Sequence, residues 1–141
     1  MATVLVVDDN RNQRMLYEQE LGEEGYRIVL AENGQEAMAK LDTHAPDAAV
    51  IEVWGKGLGE LSLLRRLQKY RSHTSIIANT TQTDHPDLVA GLVDAYIVKS
   101  SDLSLLKTKI RELLGWCGGR MKTMRTNARG QNIEFAGTGA Y

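Results

Sequence analysis

The chain has a single cysteine, Cys117, among its 141 residues. One cysteine cannot form a disulfide within the chain, so a reducing compartment is expected and the fold must rest on its apolar core. The first residues lack the basic segment and the long apolar stretch of a secretory signal. No apolar run approaches the length that a bilayer-spanning helix needs. We therefore expect a cytoplasmic protein with no membrane partner.

An excess of charge of either sign is also lacking, since the formal net charge is -1 at pH 7. This balance gives no reason to expect nucleic acid as a partner of the whole chain. Residues 115–141 differ from the rest, with six glycines and four basic residues against one acidic residue. We expect residues 1–114 to form the domain and residues 115–141 to form a glycine-rich basic tail. The tail is either flexible or an arm that binds an acidic surface or nucleic acid.

Several binding sites and activities lack their usual signals. No glycine-rich phosphate loop follows the first apolar run, which disfavours a nucleotide-binding protein. The histidines, His44, His73 and His85, do not have metal-ligand spacing, and none stands where a corrin ligand is expected. Nothing after residue 114 is long enough for a helix-turn-helix, which disfavours a DNA-binding regulator. We identify no catalytic residues and expect a protein that is not an enzyme.

What the sequence does contain is an alternation of short apolar runs and helical segments. Strands this apolar, each followed by a helix, indicate a parallel sheet covered on both faces. We predict an α/β fold, a doubly wound (βα)5 unit with a five-stranded parallel sheet. Met15, Leu16 and Leu21 are the expected buried side chains of the first helix, and Asp102 is the expected N-cap of the last. The predicted strands are 4–7, 26–31, 48–51, 75–79 and 95–98, and the predicted helices are 11–24, 34–42, 60–71, a short one from 84, and 103–113.

Polar side chains follow four of these strands at the point where each strand ends. In an open parallel sheet, binding sites form beyond the carboxyl ends of the strands. Carboxylate oxygens suit Mg²⁺, and a lysine with a threonine hydroxyl suits a phosphoryl group or a carboxylate. Any one of these residues alone is equally typical of a solvated loop or of a helix cap, as Asp9 or Asn10 is before the first helix. The residues are Asp8 and Asp9 after strand one, Glu52 after strand three, Asn79, Thr80 and Thr81 at strand four, and Lys99 after strand five.

The order and spacing of these residues resemble the receiver domains of two-component response regulators. The resemblance rests on VLVVDDN at 4–10, AENGQEA at 31–37, PD at 46–47, II at 76–77 before Thr80, and DAYIVK at 94–99. It covers residues 3–114 and implies a flavodoxin-like, CheY-like receiver fold with five flanking helices. It also implies a function in signal transduction, within a phosphorelay.

The resemblance assigns a role to each polar residue at the sheet edge. It implies an acid pair that binds Mg²⁺, a phosphoacceptor position, a switch hydroxyl, a switch aromatic, and a lysine that contacts the phosphoryl oxygens. In this sequence Asp8 and Asp9 are the acid pair, and Glu52 stands at the phosphoacceptor position. Thr80 is the switch hydroxyl, Tyr96 the switch aromatic, and Lys99 the lysine that contacts the phosphoryl oxygens. The metal site that follows from the resemblance is Mg²⁺ at Asp8, Asp9 and Glu52, and no other cofactor is implied.

The sequence departs from the family pattern at three places. Glu52 replaces the phosphoaccepting aspartate, and its carboxylate is one C–C bond, about 1.5 Å, further from the backbone. The loop 53–59 lacks the Met-Pro pair of the family, and its Lys56 is a further cation near the pocket. Ser100 stands in place of a proline that usually follows a cis bond. A cis bond before serine costs about 3–4 kcal/mol, so we predict a trans bond there.

Two functions are consistent with this pattern. In the first, the chain is a pseudo-receiver that acts by protein–protein interaction, with Glu52 in the phosphoacceptor position. In the second, it is a functional response regulator phosphorylated at Asp8 or Asp9 with Mg²⁺. The resemblance implies a histidine kinase, an effector or another regulator as the partner. A second copy of the chain, forming a homodimer, is a further alternative. The partner face implied is the one formed by residues 84–91, 96–99 and 103–109.

Overall fold

Five parallel strands form one sheet in the computed structural model, which describes residues 1–52, 59–80, 91–115, 125–126 and 132–133. The strand order is β2-β1-β3-β4-β5, so the chain reverses its direction of winding after β2. The predicted doubly wound α/β fold is therefore confirmed. The strands are β1 (Thr3–Val7), β2 (Arg27–Ala31), β3 (Ala48–Ile51), β4 (Ser75–Thr80) and β5 (Ala95–Val98).

Four helices are described around this sheet. They are α1 (Arg11–Glu23), α2 (Gly34–His44), α3 (Gly59–Arg66) and α4 (Ser104–Leu113), and the helix predicted from residue 84 lies outside the described residues. The prediction that the third helix runs unbroken to residue 71 is wrong, because α3 gives way to a 3-10 turn at Leu67–Tyr70. In that turn the Gln68 amide donates to the carbonyl oxygens of Leu64 and Leu92, both at 2.8 Å. The described helices include none that is long and apolar enough to cross a membrane.

The sheet is buried on both faces because alternate residues of its strands point to opposite sides. In β1, Leu5 and Val7 belong to the apolar cluster under α2 and α3, whereas Val4 and Val6 belong to the cluster under α1 and α4. Each of these four side chains is almost fully excluded from solvent. The core therefore has two halves, and the central strands separate them.

The buried face of α1 agrees with the prediction at Leu21 and, in part, at Leu16, but not at Met15. Met15 is 53% exposed, whereas Tyr17 and Leu21 are buried against the sheet. Two residues along a helix correspond to a rotation of about 200°, so positions 15 and 17 cannot face the same way. The spacing of Tyr17 and Leu21, four residues apart, defines the inward face and leaves Met15 in solvent.

Asparagine side chains cap the first two helices. Asn10 accepts a hydrogen bond of 3.1 Å from the backbone N–H of Gln13, so Asn10 and not Asp9 is the N-cap of α1. Asn33 caps α2 in the same way. The prediction that Asp102 is the N-cap of α4 is off by one residue, because the N-cap is Leu103. Asp102 instead accepts from the backbone N–H and the hydroxyl of Ser104, at 2.9 and 2.6 Å.

Two short strands are described in the tail. β6 (Arg125–Thr126) pairs antiparallel with β7 (Asn132–Ile133). The flexibility of residues 115–141 and their separation from the domain stay predictions.

Candidate functional site

Backbone hydrogen bonds continue past the ends of the strands and bring three side chains to one edge of the sheet. The N–H of Glu52, which follows β3, donates to the carbonyl oxygen of Val7 at 3.0 Å. The N–H of Lys99, which follows β5, donates to the carbonyl oxygen of Thr80 at 2.6 Å. Asp8 directly follows Val7, the last residue of β1. The sheet therefore holds the backbone of all three residues in register.

The ammonium of Lys99 lies between two carboxylates. Its Nζ is 2.6 Å from Oδ2 of Asp8 and 2.6 Å from Oε1 of Glu52. The three side chains are only 13%, 3% and 9% exposed, respectively. Two buried negative charges thus share one positive charge, and the ionised cluster carries a net charge of one negative unit. The predicted convergence of Asp8, Glu52 and Lys99 on one edge is what the structure shows.

Burial and charge shift the ionisation of this cluster. Burial raises the pKa of Glu52 above its ordinary value; the hydrogen bond and charge of Lys99 lower it in part, and the carboxylates of Asp8 and Asp9 raise it further. Burial alone lowers the pKa of Lys99, but its hydrogen bonds to Asp8 and Glu52 outweigh burial and raise it. Lys99 is therefore a cation at neutral pH.

Both oxygens of the Asp8 carboxylate are engaged. Oδ2 accepts from Lys99, and Oδ1 accepts from the backbone N–H of Asn10 at 2.9 Å. The backbone carbonyl of Asp8 accepts from the guanidinium of Arg14 at 2.7 Å. Asp9, the neighbouring acid, is exposed to solvent. The two members of the predicted acid pair are therefore in different environments.

The side chains of Asp8, Asp9 and Glu52 do not assemble as the Mg²⁺ site that the sequence suggested. Within the described ranges, no three Asp, Glu, His or Cys side chains are grouped so that they could hold a metal ion. Mg²⁺ also demands near-ideal octahedral coordination with oxygens at about 2.0–2.1 Å. The Lys99 ammonium already contacts both buried carboxylates, so the pocket as arranged does not fit this ion.

The predicted switch residues lie close to the same strand ends. Thr80 is fully buried at the last position of β4. Tyr96 is half-buried on β5 and packs against the apolar cluster under α2 and α3. The bond between Lys99 and Ser100 is trans, as predicted, since the described chain has no cis peptide bond. Thr81 and the loop at 53–58, with Lys56, lie outside the described residues.

One buried contact near the site was not predicted from the sequence. The side-chain amide of Asn79 donates to the hydroxyl of Tyr17 at 2.9 Å. Burial raises the pKa of Tyr17, while the charge of Lys99 and this hydrogen bond lower it. Tyr17 is not among the residues that the sequence singles out as buried, although its spacing of four residues from Leu21 is the signal that places it on the same face of the helix.

Apolar side chains are exposed along the edge strand and the start of α4. Val98 is 48% exposed and Leu105 is 59% exposed. Both line a cavity of about 280 Å³ between the end of β5 and the first turn of α4, which reaches inward as far as Asn79.

Known proteins are similar to this chain in sequence. The family profile described as "Response regulator receiver domain" matches residues 4–111. Response regulator ArlR of Staphylococcus aureus is 32% identical over 117 residues, which are 81% of this chain and 53% of the relative. The chain spans about half the length of the curated relatives that it matches.

Solved structures give the same picture. Response regulator protein TrrA of Thermotoga maritima, in complex with Mg(2+)-BeF, is 36% identical with a TM-score of 0.73, over 79% of this chain and 97% of that one. TrrA in complex with histidine kinase ThkA is 35% identical with a TM-score of 0.71, over the same shares. A CheY-like receiver domain protein of Methanospirillum hungatei is 25% identical with a TM-score of 0.75, over 82% of this chain and 95% of that one.

Proposed function

The chain belongs to the receiver-domain family of two-component response regulators, and we propose that it signals by binding other proteins, with Glu52 in place of the phosphoacceptor aspartate. The observation that carries the proposal is the contact between Glu52 and Lys99. The residue at the phosphoacceptor position is a glutamate, and its carboxylate is already bound at 2.6 Å by the lysine that the family uses to contact phosphoryl oxygens.

Geometry argues against phosphoryl transfer to Glu52. Phosphoryl transfer depends on in-line positioning of the attacking oxygen, with little covalent help from the protein. The extra methylene of glutamate moves the carboxylate by about 1.5 Å relative to aspartate. A displacement of about 1 Å can lower a rate on the order of a hundredfold. Glu52 is therefore a poor acceptor even where the rest of the pocket is retained.

When it is ionised, Glu52 also supplies a negative charge to the pocket without any phosphoryl group. A phosphoryl group on the family's aspartate adds a charge of about -1.5 to -2, whereas ionised Glu52 provides one negative unit. The Glu52 carboxylate pairs with the ammonium of Lys99, and the Asp8 carboxylate pairs with the same ammonium. We infer that the cluster holds the domain in one state that does not depend on a kinase or a phosphatase.

The partner is proposed to be a protein: a histidine kinase, an effector, another regulator or a second copy of the chain. The proposed face consists of residues 84–91, 96–99 and 103–109, of which 84–90 lie outside the described residues. The exposed apolar side chains of Val98 and Leu105 support this choice. A cytoplasmic location and a binding role of the tail are further expectations from the sequence.

A second candidate is a regulator phosphorylated at Asp8 or Asp9 with Mg²⁺. The exposure of Asp9 favours it, because an acceptor must be reached by a phosphodonor. The engagement of both Asp8 oxygens by Lys99 and Asn10 disfavours attack from Asp8. The two candidates therefore differ in whether any carboxylate of the cluster takes up a phosphoryl group.

The test is intact-mass measurement of the full chain after incubation with acetyl phosphate and Mg²⁺. Wild type, Asp8→Asn and Asp9→Asn are compared under the same conditions. We expect wild type to gain no phosphoryl mass. Uptake by wild type would overturn the proposal, and fragmentation that locates the added phosphoryl group on Asp8 or Asp9 would establish the second candidate. Uptake that survives both substitutions would overturn it by pointing to Glu52 or another residue.

A further inference from the structure

We propose that the ammonium of Lys99 is the resident cation of the Asp8–Glu52 pair, so that the pocket excludes divalent cations, and that removing this ammonium creates a divalent cation site. The inference concerns cation binding without any phosphoryl donor, so it stands or falls independently of the proposed function. It rests on the positions of the three side chains, their burial and their summed charge.

The first argument is that the ammonium and a bound ion would need the same space. A divalent ion held by oxygens Oδ2 of Asp8 and Oε1 of Glu52 must lie about 2.0–2.6 Å from each of them. The Nζ atom of Lys99 already lies at 2.6 Å from both. Two cations cannot occupy one such position, and their like charges repel.

The second argument is that Lys99 has no easy alternative position. Its backbone is fixed by the hydrogen bond from its N–H to the carbonyl oxygen of Thr80. Its side chain is only 13% exposed, so most of its stem is enclosed. If the ammonium left, two buried carboxylates would remain without their shared partner. A divalent ion entering the wild-type pocket would have to displace this contact first.

The third argument concerns charge. With Lys99 in place, the ionised cluster carries one net negative charge; without it, Asp8 and Glu52 carry two. Removal of a unit charge a few ångströms away should strengthen binding of a divalent cation on the order of a hundredfold or more. Mg²⁺ demands near-ideal octahedral geometry and loses its water shell reluctantly, whereas Ca²⁺ accepts carboxylate oxygens in flexible geometry. We therefore expect the freed site to prefer Ca²⁺ over Mg²⁺.

The experiment measures Mn²⁺ binding to the full chain by electron paramagnetic resonance, with Ca²⁺ and Mg²⁺ as competitors. Wild type is compared with Lys99→Ala, with the double variant Lys99→Ala/Glu52→Gln, and with Lys107→Ala. Lys107 is the matched control, because its Nζ also pairs with a carboxylate, Oε1 of Glu20 at 2.8 Å, away from this pocket. We expect binding in Lys99→Ala alone, and displacement of Mn²⁺ by Ca²⁺ at lower concentration than by Mg²⁺.

Three results would overturn the inference. They are Mn²⁺ binding by wild type as tight as by Lys99→Ala, absence of binding in folded Lys99→Ala, and a similar gain in Lys107→Ala. If Lys99→Ala does not fold, wild type still decides the question through the NMR signal of the Lys99 ammonium. That signal should be unchanged by excess Ca²⁺ or Mg²⁺, and its displacement or broadening would refute the resident-cation role. A wild-type chain that binds Mn²⁺ as tightly as Lys99→Ala yet takes up no phosphoryl group would refute this inference and leave the proposed function intact.

Discussion

The side-chain amide of Asn79 donates a hydrogen bond of 2.9 Å to the phenolic oxygen of Tyr17, and both side chains are buried. The bond ties the middle of α1 to the end of β4, one residue before Thr80. The charges of Lys99, Asp8 and Glu52 all act on the Tyr17 hydroxyl and shift its pKa. The helix α1 is therefore connected to the candidate site through this bond and through the bond from Arg14 to the carbonyl oxygen of Asp8.

Removing the Tyr17 hydroxyl should destabilise the fold. Tyr17→Phe leaves the Asn79 amide without this acceptor in a buried place, which should cost about 1–3 kcal/mol in the free energy of unfolding. Tyr70→Phe is the control, because the Tyr70 hydroxyl donates to the exposed Asp42 at 2.6 Å, and its loss should cost less than about 1 kcal/mol. Chemical denaturation measures both values. Equal losses in the two variants would show that the buried contact has no special weight.

Removing the Lys99 ammonium should also lower stability. Lys99→Met keeps an apolar stem of similar length but leaves Asp8 and Glu52 buried without a cation. Breaking a buried ion pair costs about 3–5 kcal/mol and an exposed one about 0–1 kcal/mol. Because the cluster lies at the edge of the sheet, its cost should fall between these two ranges. We expect Lys99→Met to lower the free energy of unfolding by about 1–3 kcal/mol at neutral pH in the absence of divalent cations. Unchanged unfolding by denaturant would mean that the three charges do not interact as described.

The raised pKa of Glu52 predicts a dependence of stability on pH. A carboxyl whose pKa is higher in the folded chain than in the unfolded chain binds its proton more tightly when folded. Glu52 therefore contributes stability that is fully present below its unfolded value of 4.5 and is lost as the pH rises through its folded pKa. Glu52→Gln cannot titrate. The difference in unfolding free energy, wild type minus Glu52→Gln, should fall as the pH rises through that window, and a constant or rising difference contradicts the prediction.

Ala45 has a strained backbone that glycine should relieve. It ends α2 in the left-handed region, with φ 43° and ψ 60°, where an L-residue with a Cβ costs about 1–2 kcal/mol. Ala45→Gly removes that strain, but glycine also makes the unfolded chain more flexible, which favours unfolding and offsets part of the gain. We therefore expect a net stabilisation of about 0.5–1 kcal/mol. Ala39→Gly, at an exposed position inside α2, should instead lose about 1 kcal/mol. Thermal unfolding of the two variants checks the opposite signs.

The sheet and the edge that carries the site could be predicted because both depend on local patterns. Short apolar strands with helices between them indicate a parallel sheet, and parallel strands bring the residues after them to one edge. Asp8, Glu52 and Lys99 were placed together on that basis alone. The sequence did not reveal that one ammonium binds both carboxylates, because the direction of a long side chain depends on packing across strands.

Other differences also arise from tertiary contacts. Methionine is the more apolar residue, so Met15 was expected inside, yet the phase of α1 on the sheet places Tyr17 there. The end of α3 at residue 66 accompanies the bond from the Gln68 amide to the distant carbonyl of Leu92. Local helix propensity does not predict which side of a helix faces the sheet, nor which residues far apart in the chain form a contact.

Binding of beryllium fluoride in the presence of Mg²⁺, followed by fluorine NMR, tests most directly whether the phosphoacceptor position takes part in phosphoryl chemistry. TrrA, which has been crystallised with Mg(2+)-BeF, supplies the positive control under identical conditions. With Glu52 in the acceptor position and Lys99 bound to it, wild type should give no signal from bound fluoride at concentrations that saturate TrrA. A saturable bound-fluoride signal from wild type, lost in Glu52→Gln, would contradict the central claim.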